Sequence, residues 1–157
     1  MHKPDLSETT GAIRDQAPRS AEREHSVPIF MTSSFVFESA EQARALFAEE
    51  QPGNIYTRFS NPNTDEFVRK MAALEHLDDG FATASGMSAI FTSMAALLKS
   101  GDHVVCARSV FGSTHQILTQ IFPRWGIEFT YVDIADQATW EKAFKQNTRM
   151  LFLETPS

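Results

Sequence analysis

From residue 81 to residue 153 the sequence alternates short apolar runs with amphipathic stretches, and no other feature restricts the fold so strongly. Residues 81–84, 103–107, 127–132 and 150–153 have the length and composition of strands. Residues 88–98 are apolar nearly all round and read as a largely buried helix. Ile117, Leu118, Ile121 and Phe122 mark one face of a second helix that ends at Gly126. Residues 136–146 form a third, with Trp140 and Phe144 facing inward. Strand and helix in strict succession predict an α/β fold, with a mainly parallel sheet and right-handed crossovers. Such sheets take ligands off the carboxyl ends of their strands, and two loops qualify: Ser85-Gly86-Met87 and Phe111-Gly112-Ser113.

The chain before residue 81 is organised differently. Residues 1–26 are polar and broken by Pro4, Gly11 and Pro18, which predicts an irregular arm. Residues 27–37 turn apolar and aromatic, an extended segment whose covering surface is expected to come from a partner subunit. Ser39-Ala40-Glu41-Gln42 is a capping box, and Ala40, Ala43, Leu46 and Phe47 carry a short helix toward Glu50, closed by Pro52-Gly53. Asn61-Pro62 is a helix entry, with Phe67, Val68, Met71, Leu74 and Leu77 on its apolar face and Asp78-Asp79-Gly80 at its end.

Three places carry possible chemistry. At Ser85-Gly86-Met87-Ser88 a strand passes into a helix, whose first N–H groups lack internal partners and attract an anion; an ordinary serine-capped turn would read the same. Tyr56 and Arg58 lie two residues apart and would point the same way from an extended segment, a phenol beside a guanidinium that suits a phosphate. A solvated surface loop is the other reading. Phe111 is either a core residue or an aromatic on which a flat ligand stacks. Cys106 reads as a packed thiol, since no neighbouring base activates it. Gly86-Met87-Ser88-Ala89-Ile90 partly matches a hydrolase nucleophile elbow. Ile90 is too large for its last position, and no histidine follows His115.

Composition removes other classes. With 42% hydrophobic and 22% charged residues among 157, the chain has the make-up of a soluble globular protein. A net charge of -6 without a basic run argues against nucleic acid. A single cysteine rules out an internal disulfide framework and makes cytoplasm the expected compartment. No apolar run approaches the ~18 residues of a membrane span, and no signal-peptide core or metal site is expected.

Taken together, Tyr56-Thr57-Arg58 with Asn61-Pro62, Ala84-Ser85-Gly86-Met87-Ser88-Ala89, Val110-Phe111-Gly112-Ser113-Thr114 and Glu154-Thr155-Pro156-Ser157 resemble, in order and spacing, the Cys/Met-metabolism family of pyridoxal-phosphate (PLP) enzymes. Within it, residues 82–90 and 108–114 look most like the O-succinylhomoserine sulfhydrylase branch. The resemblance implies an aspartate-aminotransferase-like fold of type I and pyridoxal 5'-phosphate as cofactor. Ser85, Gly86 and Met87 would hold its phosphate and Phe111 would stack on its ring. Tyr56 and Arg58 would reach the neighbouring subunit's phosphate in a homodimer or homotetramer. Many relatives carry Tyr where Phe111 stands; Phe donates no hydrogen bond, which favours the sulfhydrylase branch over cystathionine γ-synthase and the lyases, methionine γ-lyase included. Residues 1–50 would then be an arm and short helix making dimer contacts, and residues 51–157 the first part of the cofactor-binding domain. The resemblance places the Schiff-base Lys and the Asp that pairs with the ring nitrogen beyond Ser157. The chain on its own is therefore expected to be inactive, or to act as a non-catalytic piece that binds a partner chain.

Overall fold

The computed structural model describes residues 7–156, which fall into two compact units, Met1–Ala82 and Thr83–Ser157. The arm's expected irregularity from residue 1 to residue 6 lies outside the described residues.

In the first unit the arm is less irregular than its sequence suggests, because Glu8–Arg14 forms a helix, α1. Gly11 sits inside it, and α1 packs on α3, the helix Pro62–Leu74. A tertiary contact thus outweighs the cost of a helical glycine. Helix α2, Ala40–Phe47, begins as the capping box requires: the Ser39 side chain accepts from the Gln42 N–H at 3.0 Å. The Gln42 side chain reaches back one residue further than the motif specifies, accepting from the Glu38 N–H at 2.6 Å. The helix stops at Phe47, short of the expected Glu50, and Glu49 takes a positive φ of 56°.

Asn61 caps α3, with its Oδ1 accepting from the Asn63 N–H at 2.9 Å and Pro62 in the first turn. Its Nδ2 donates to the Phe30 carbonyl at 3.0 Å and to Thr57 Oγ1 at 3.2 Å. Asn63 holds the same segment, accepting from the Phe30 N–H at 2.7 Å and donating to the Pro28 carbonyl at 2.8 Å. The extended apolar stretch is therefore tied down by backbone groups while several of its side chains face outward. Ile29, Met31 and Val36 are 84%, 94% and 98% exposed. α3 ends at Leu74, and Leu77, expected on its apolar face, lies beyond it and is exposed.

The second unit is a three-stranded parallel sheet in the order β2-β1-β3, made of β1 (His103–Ala107), β2 (Glu128–Val132) and β3 (Thr148–Phe152). β1 is central and wholly buried, so it reads as a continuous apolar run rather than an alternation. Val104 and Cys106 face the larger core with Met94 of α4 (Gly86–Leu97), its C-cap Leu98, Ile117, Leu118, Phe122 and Ile127. Val105 faces the other side, against Val132 and the helix α6 (Gln137–Ala143), with Trp140 packed on it. The central strand is thus covered on both faces, while Leu151 of β3, beside Val105, is exposed.

Several sequence expectations are corrected here. Residues 81–84 form no strand; Phe81 is 78% exposed and no described strand pairs with this segment. α4 is not buried all round, because only one side meets the sheet: Met94 is fully buried and Leu97 exposed. Phe144 does not face inward. It caps α6 in extended backbone and is exposed. The helix after β1 is α5, Gly112–Gln116, which passes into a π turn over Ile117–Ile121 and a 3₁₀ turn over Phe122–Trp125. Pro123, which lacks an N–H to continue the α ladder, accounts for that change of pitch. Gly126 ends the run at φ 73°, a left-handed conformation that favours glycine, and a Cβ there would stand 2.5 Å from Ser100 Oγ, which would have to turn away. Gly101 has a positive φ of 89° in the turn before β1, and the immediate cap of α4 is Leu98. No described helix is long and apolar enough to cross a membrane.

Candidate functional site

In the second unit the candidate residues gather at the carboxyl edge of the sheet. α4 packs back along the sheet face and enters β1 through a short turn, which brings Ser85 toward the strands' carboxyl ends. Phe111 follows β1 directly, and α4 touches α5.

Ser85 is extended, at φ -159° and ψ 158°, and its Oγ accepts from the Ser88 N–H at 3.1 Å while its carbonyl accepts from the Ala89 N–H at 3.0 Å. Thr83 Oγ1 donates to the same carbonyl at 2.8 Å and fixes the entry to the turn. Capping therefore uses the third and fourth amides of the helix. The Gly86 and Met87 N–H groups, first in the ladder, have no acceptor within it. Gly86 has an ordinary φ, and a Cβ there would meet nothing within 4 Å. The protein's own packing does not require glycine at that point; its absence of a side chain keeps open the space that faces the two free amides. An anionic phosphate fits this arrangement, with two backbone donors, an exposed hydroxyl-bearing side chain and the positive end of a helix macrodipole at one turn.

Phe111 is 63% exposed, so of the two readings of its sequence the core residue is excluded. Its backbone N–H donates to Glu154 Oε2 at 2.9 Å, and Glu154 Oε1 accepts from Thr114 Oγ1 at 2.9 Å. Glu154 was visible in the sequence as part of a motif, yet nothing there assigned it a function. The signal is its place just past the end of β3, where a parallel sheet sets it beside the loop that follows β1.

Behind the loop, Tyr131 OH lies 2.7 Å from His115 Nδ1, their rings stack with centroids 5.6 Å apart, and the Arg108 guanidinium sits 5.6 Å from the Tyr131 ring centre. Burial, and then nearby Cys106, raise the Tyr131 pKa above the ordinary phenol range. Burial, with Glu154 adding to it, pushes the Cys106 thiol up to about 12, so it stays protonated and packs as the sequence implied.

Tyr56 and Arg58 belong to the first unit. Tyr56 pairs with Ser34 in an isolated antiparallel bridge, the Thr57 N–H donates to the Ser33 carbonyl at 2.9 Å, and Thr57 Oγ1 donates to the Thr32 carbonyl. The chain then turns, with the Phe59 N–H donating to the Tyr56 carbonyl at 2.8 Å. The expected extended geometry ends at Tyr56. The two side chains are nevertheless brought together, because the Arg58 guanidinium lies 5.0 Å from the Tyr56 ring centre and 5.3 Å from that of Phe59. An arginine carried on aromatic faces keeps its N–H edges free for an anion.

Among the described residues no group of three His, Cys, Asp or Glu could hold a metal ion. Lys70 and Lys145 pair with Glu66 and Glu128, and no lysine lies on the Ser85 turn or the Phe111 loop.

Comparison with known proteins gives these features a context. Residues 8–157 match the model of the Cys/Met metabolism PLP-dependent enzymes. The chain is 47% identical over 148 residues, 94% of its length, to an O-succinylhomoserine sulfhydrylase of Pseudomonas aeruginosa. It is 44% identical over 131 residues, 83% of its length, to an L-methionine gamma-lyase of Fusobacterium nucleatum. A crystal structure from Campylobacter jejuni, with N'-pyridoxyl-lysine-5'-monophosphate at position 205 of that protein, superposes at a TM-score of 0.90 with 34% identity over 98% of this chain. The chain spans 37%, 33% and 38% of these three, little more than a third of their length.

Proposed function

The chain belongs to the Cys/Met-metabolism family of PLP-dependent enzymes, which share fold type I, and we propose that the protein it builds is an O-succinylhomoserine sulfhydrylase. The reaction breaks the γ-carbon–oxygen bond of O-succinylhomoserine and forms a carbon–sulfur bond to sulfide, giving homocysteine and succinate. The observation that carries this reading is the pairing of an open, glycine-floored helix start at Ser85-Gly86-Met87 with the exposed Phe111 ring at the same edge of one sheet.

Ser85 Oγ and the Gly86 and Met87 amides hold the phosphate, and the exposed face of Phe111 packs on the pyridine ring and excludes water from it. When bound, the cofactor supplies an electron sink for charge developing at the substrate α-carbon. Phe111 has no proton to give, so it orients and shields only. Tyr56 and Arg58 serve the neighbouring subunit's phosphate in a homodimer or homotetramer, with residues 1–50 as the arm that makes subunit contacts and residues 51–157 as part of the cofactor-binding domain. No described lysine stands at the site, so residues 1–157 expressed alone are expected to form no homocysteine. Cytoplasm is the proposed compartment.

The test is product analysis of the full-length protein with PLP. Homocysteine and succinate from O-succinylhomoserine and sulfide are the expected result. Preference for O-acetylhomoserine or cysteine as co-substrate would redirect the reading to a sibling activity. Release of methanethiol from methionine alone would replace it with a methionine γ-lyase, which the Fusobacterium nucleatum relative makes the strongest competitor.

A further inference from the structure

The ring of Phe111 is exposed, and a Cβ built at neighbouring Gly112 would meet nothing within 4 Å, so side-chain packing at these two positions does not fix the direction of the ring. One carboxylate holds the turn there from across the sheet. Glu154 accepts from the Phe111 N–H through Oε2 and from Thr114 Oγ1 through Oε1, both at 2.9 Å, across 43 and 40 residues of sequence. Thr114 is fully buried, so its hydroxyl needs an acceptor inside the protein, and Glu154 supplies it. The two bonds bracket the turn that sets the direction of the Phe111 Cα–Cβ bond. Glu154 itself stands just past the end of β3, while the loop stands just past the end of β1, and those strands are hydrogen-bonded neighbours. The sheet register is thereby transmitted to the aromatic platform.

We propose that Glu154 is a positioning residue that aims the Phe111 ring at the cofactor by clamping the Phe111–Thr114 turn to the end of β3. The proposal rests on the reading that Phe111 stacks on the PLP ring. Glu154 does not touch the ring; it acts through backbone. A carboxylate suits this task where a carboxamide does not, because both oxygens accept, whereas a glutamine would turn an NH₂ group toward one of the two donors.

The experiment uses the full-length protein as wild type, Glu154→Ala, Glu154→Gln and Thr114→Val. Hydrogen exchange of the peptide covering residues 108–116 is followed in the cofactor-free protein. PLP affinity is then measured by titration, and ring orientation by the visible circular dichroism of the bound cofactor. Glu154→Ala should accelerate exchange of the Phe111 amide and weaken PLP binding about tenfold each, with a reduced or inverted dichroism band. Glu154→Gln and Thr114→Val, each conserving shape and losing about one bond, should fall between, and they keep the test decisive if the alanine variant fails to fold. Wild-type exchange in Glu154→Gln and Glu154→Ala would overturn the clamp. Faster exchange with unchanged affinity and dichroism would overturn the positioning role. A wild type that binds PLP beside an unaffected Glu154→Ala overturns this inference alone; a wild type that takes up no PLP overturns the function reading and this inference with it.

Discussion

The two units are stabilised by different physics. The sheet unit buries Met94, Val104, Val105, Cys106, Leu118 and Phe122 completely, so its order comes from apolar packing on both faces of β1. Among the described residues of the N-terminal unit only Leu46 and Ala72 are buried apolar residues, while Asn61 and Glu66 are buried polar ones. Glu66 is held by the Lys70 ammonium at 2.6 Å and the Ala17 N–H at 2.7 Å; burial pushes its pKa up, and these bonds more than offset it, leaving the carboxyl below the usual range. A unit with exposed Ile29, Met31, Val36 and Phe59 that is held by side-chain-to-backbone hydrogen bonds has its conformation specified without its apolar surface being covered. The shape of such a segment is set locally by hydrogen bonds rather than by apolar packing.

This contrast can be broken by substitution. The largest effect is expected from Phe122→Ala in the sheet core, which should cost about 3–5 kcal/mol in denaturant unfolding of the full-length protein. A loss below about 1 kcal/mol would show that packing does not dominate there. Next comes Asn61→Ala, which removes a helix cap and two donated bonds and should cost about 1–3 kcal/mol, more than truncating the exposed Met31. Equal losses at Asn61 and Met31 would erase the distinction between the units.

The smallest effect concerns the one buried histidine of the sheet unit. His103 bridges Thr148 Oγ1 through Nδ1 and Thr130 Oγ1 through Nε2, both at 2.8 Å, from the amino end of β1 to the amino end of β3 and the middle of β2. Burial, with Lys145 nearby, lowers its pKa from the ordinary imidazole value. The unfolded chain therefore binds the proton more readily than the folded one. The contribution is present above about pH 6.5 and is lost as pH falls from there through the lowered folded value. Unfolding free energies of wild type and His103→Asn, measured across that window, should converge as pH drops; parallel profiles would sink the assignment.

At the candidate site, the sequence carried the chemistry further than the geometry. The Ser85-capped start of α4 was legible from residue types alone, because capping acts locally. Tyr56 and Arg58 were paired for the wrong local reason: extended spacing predicted a shared direction, whereas a turn and stacking on the rings of Tyr56 and Phe59 bring them together. Glu154 was invisible as a functional residue, since its two partners lie 43 and 40 positions away and only strand pairing sets them within reach.

By itself, then, the sequence determined the succession of elements from β1 onward, the capped starts of α2, α3 and α4 and the inertness of Cys106. Those properties follow from hydrophobic period, capping hydroxyls and amides, and the lack of an adjacent base, all of which act over a few residues. Tertiary structure alone decided that residues 81–84 make no strand, that α1 forms around a glycine, that only one side of α4 is buried, and that Phe111 stands clear of the core on a turn held by Glu154. Each of these depends on which distant segment is available to pair or pack, and that is set by the register of a parallel sheet whose neighbours are far apart in sequence.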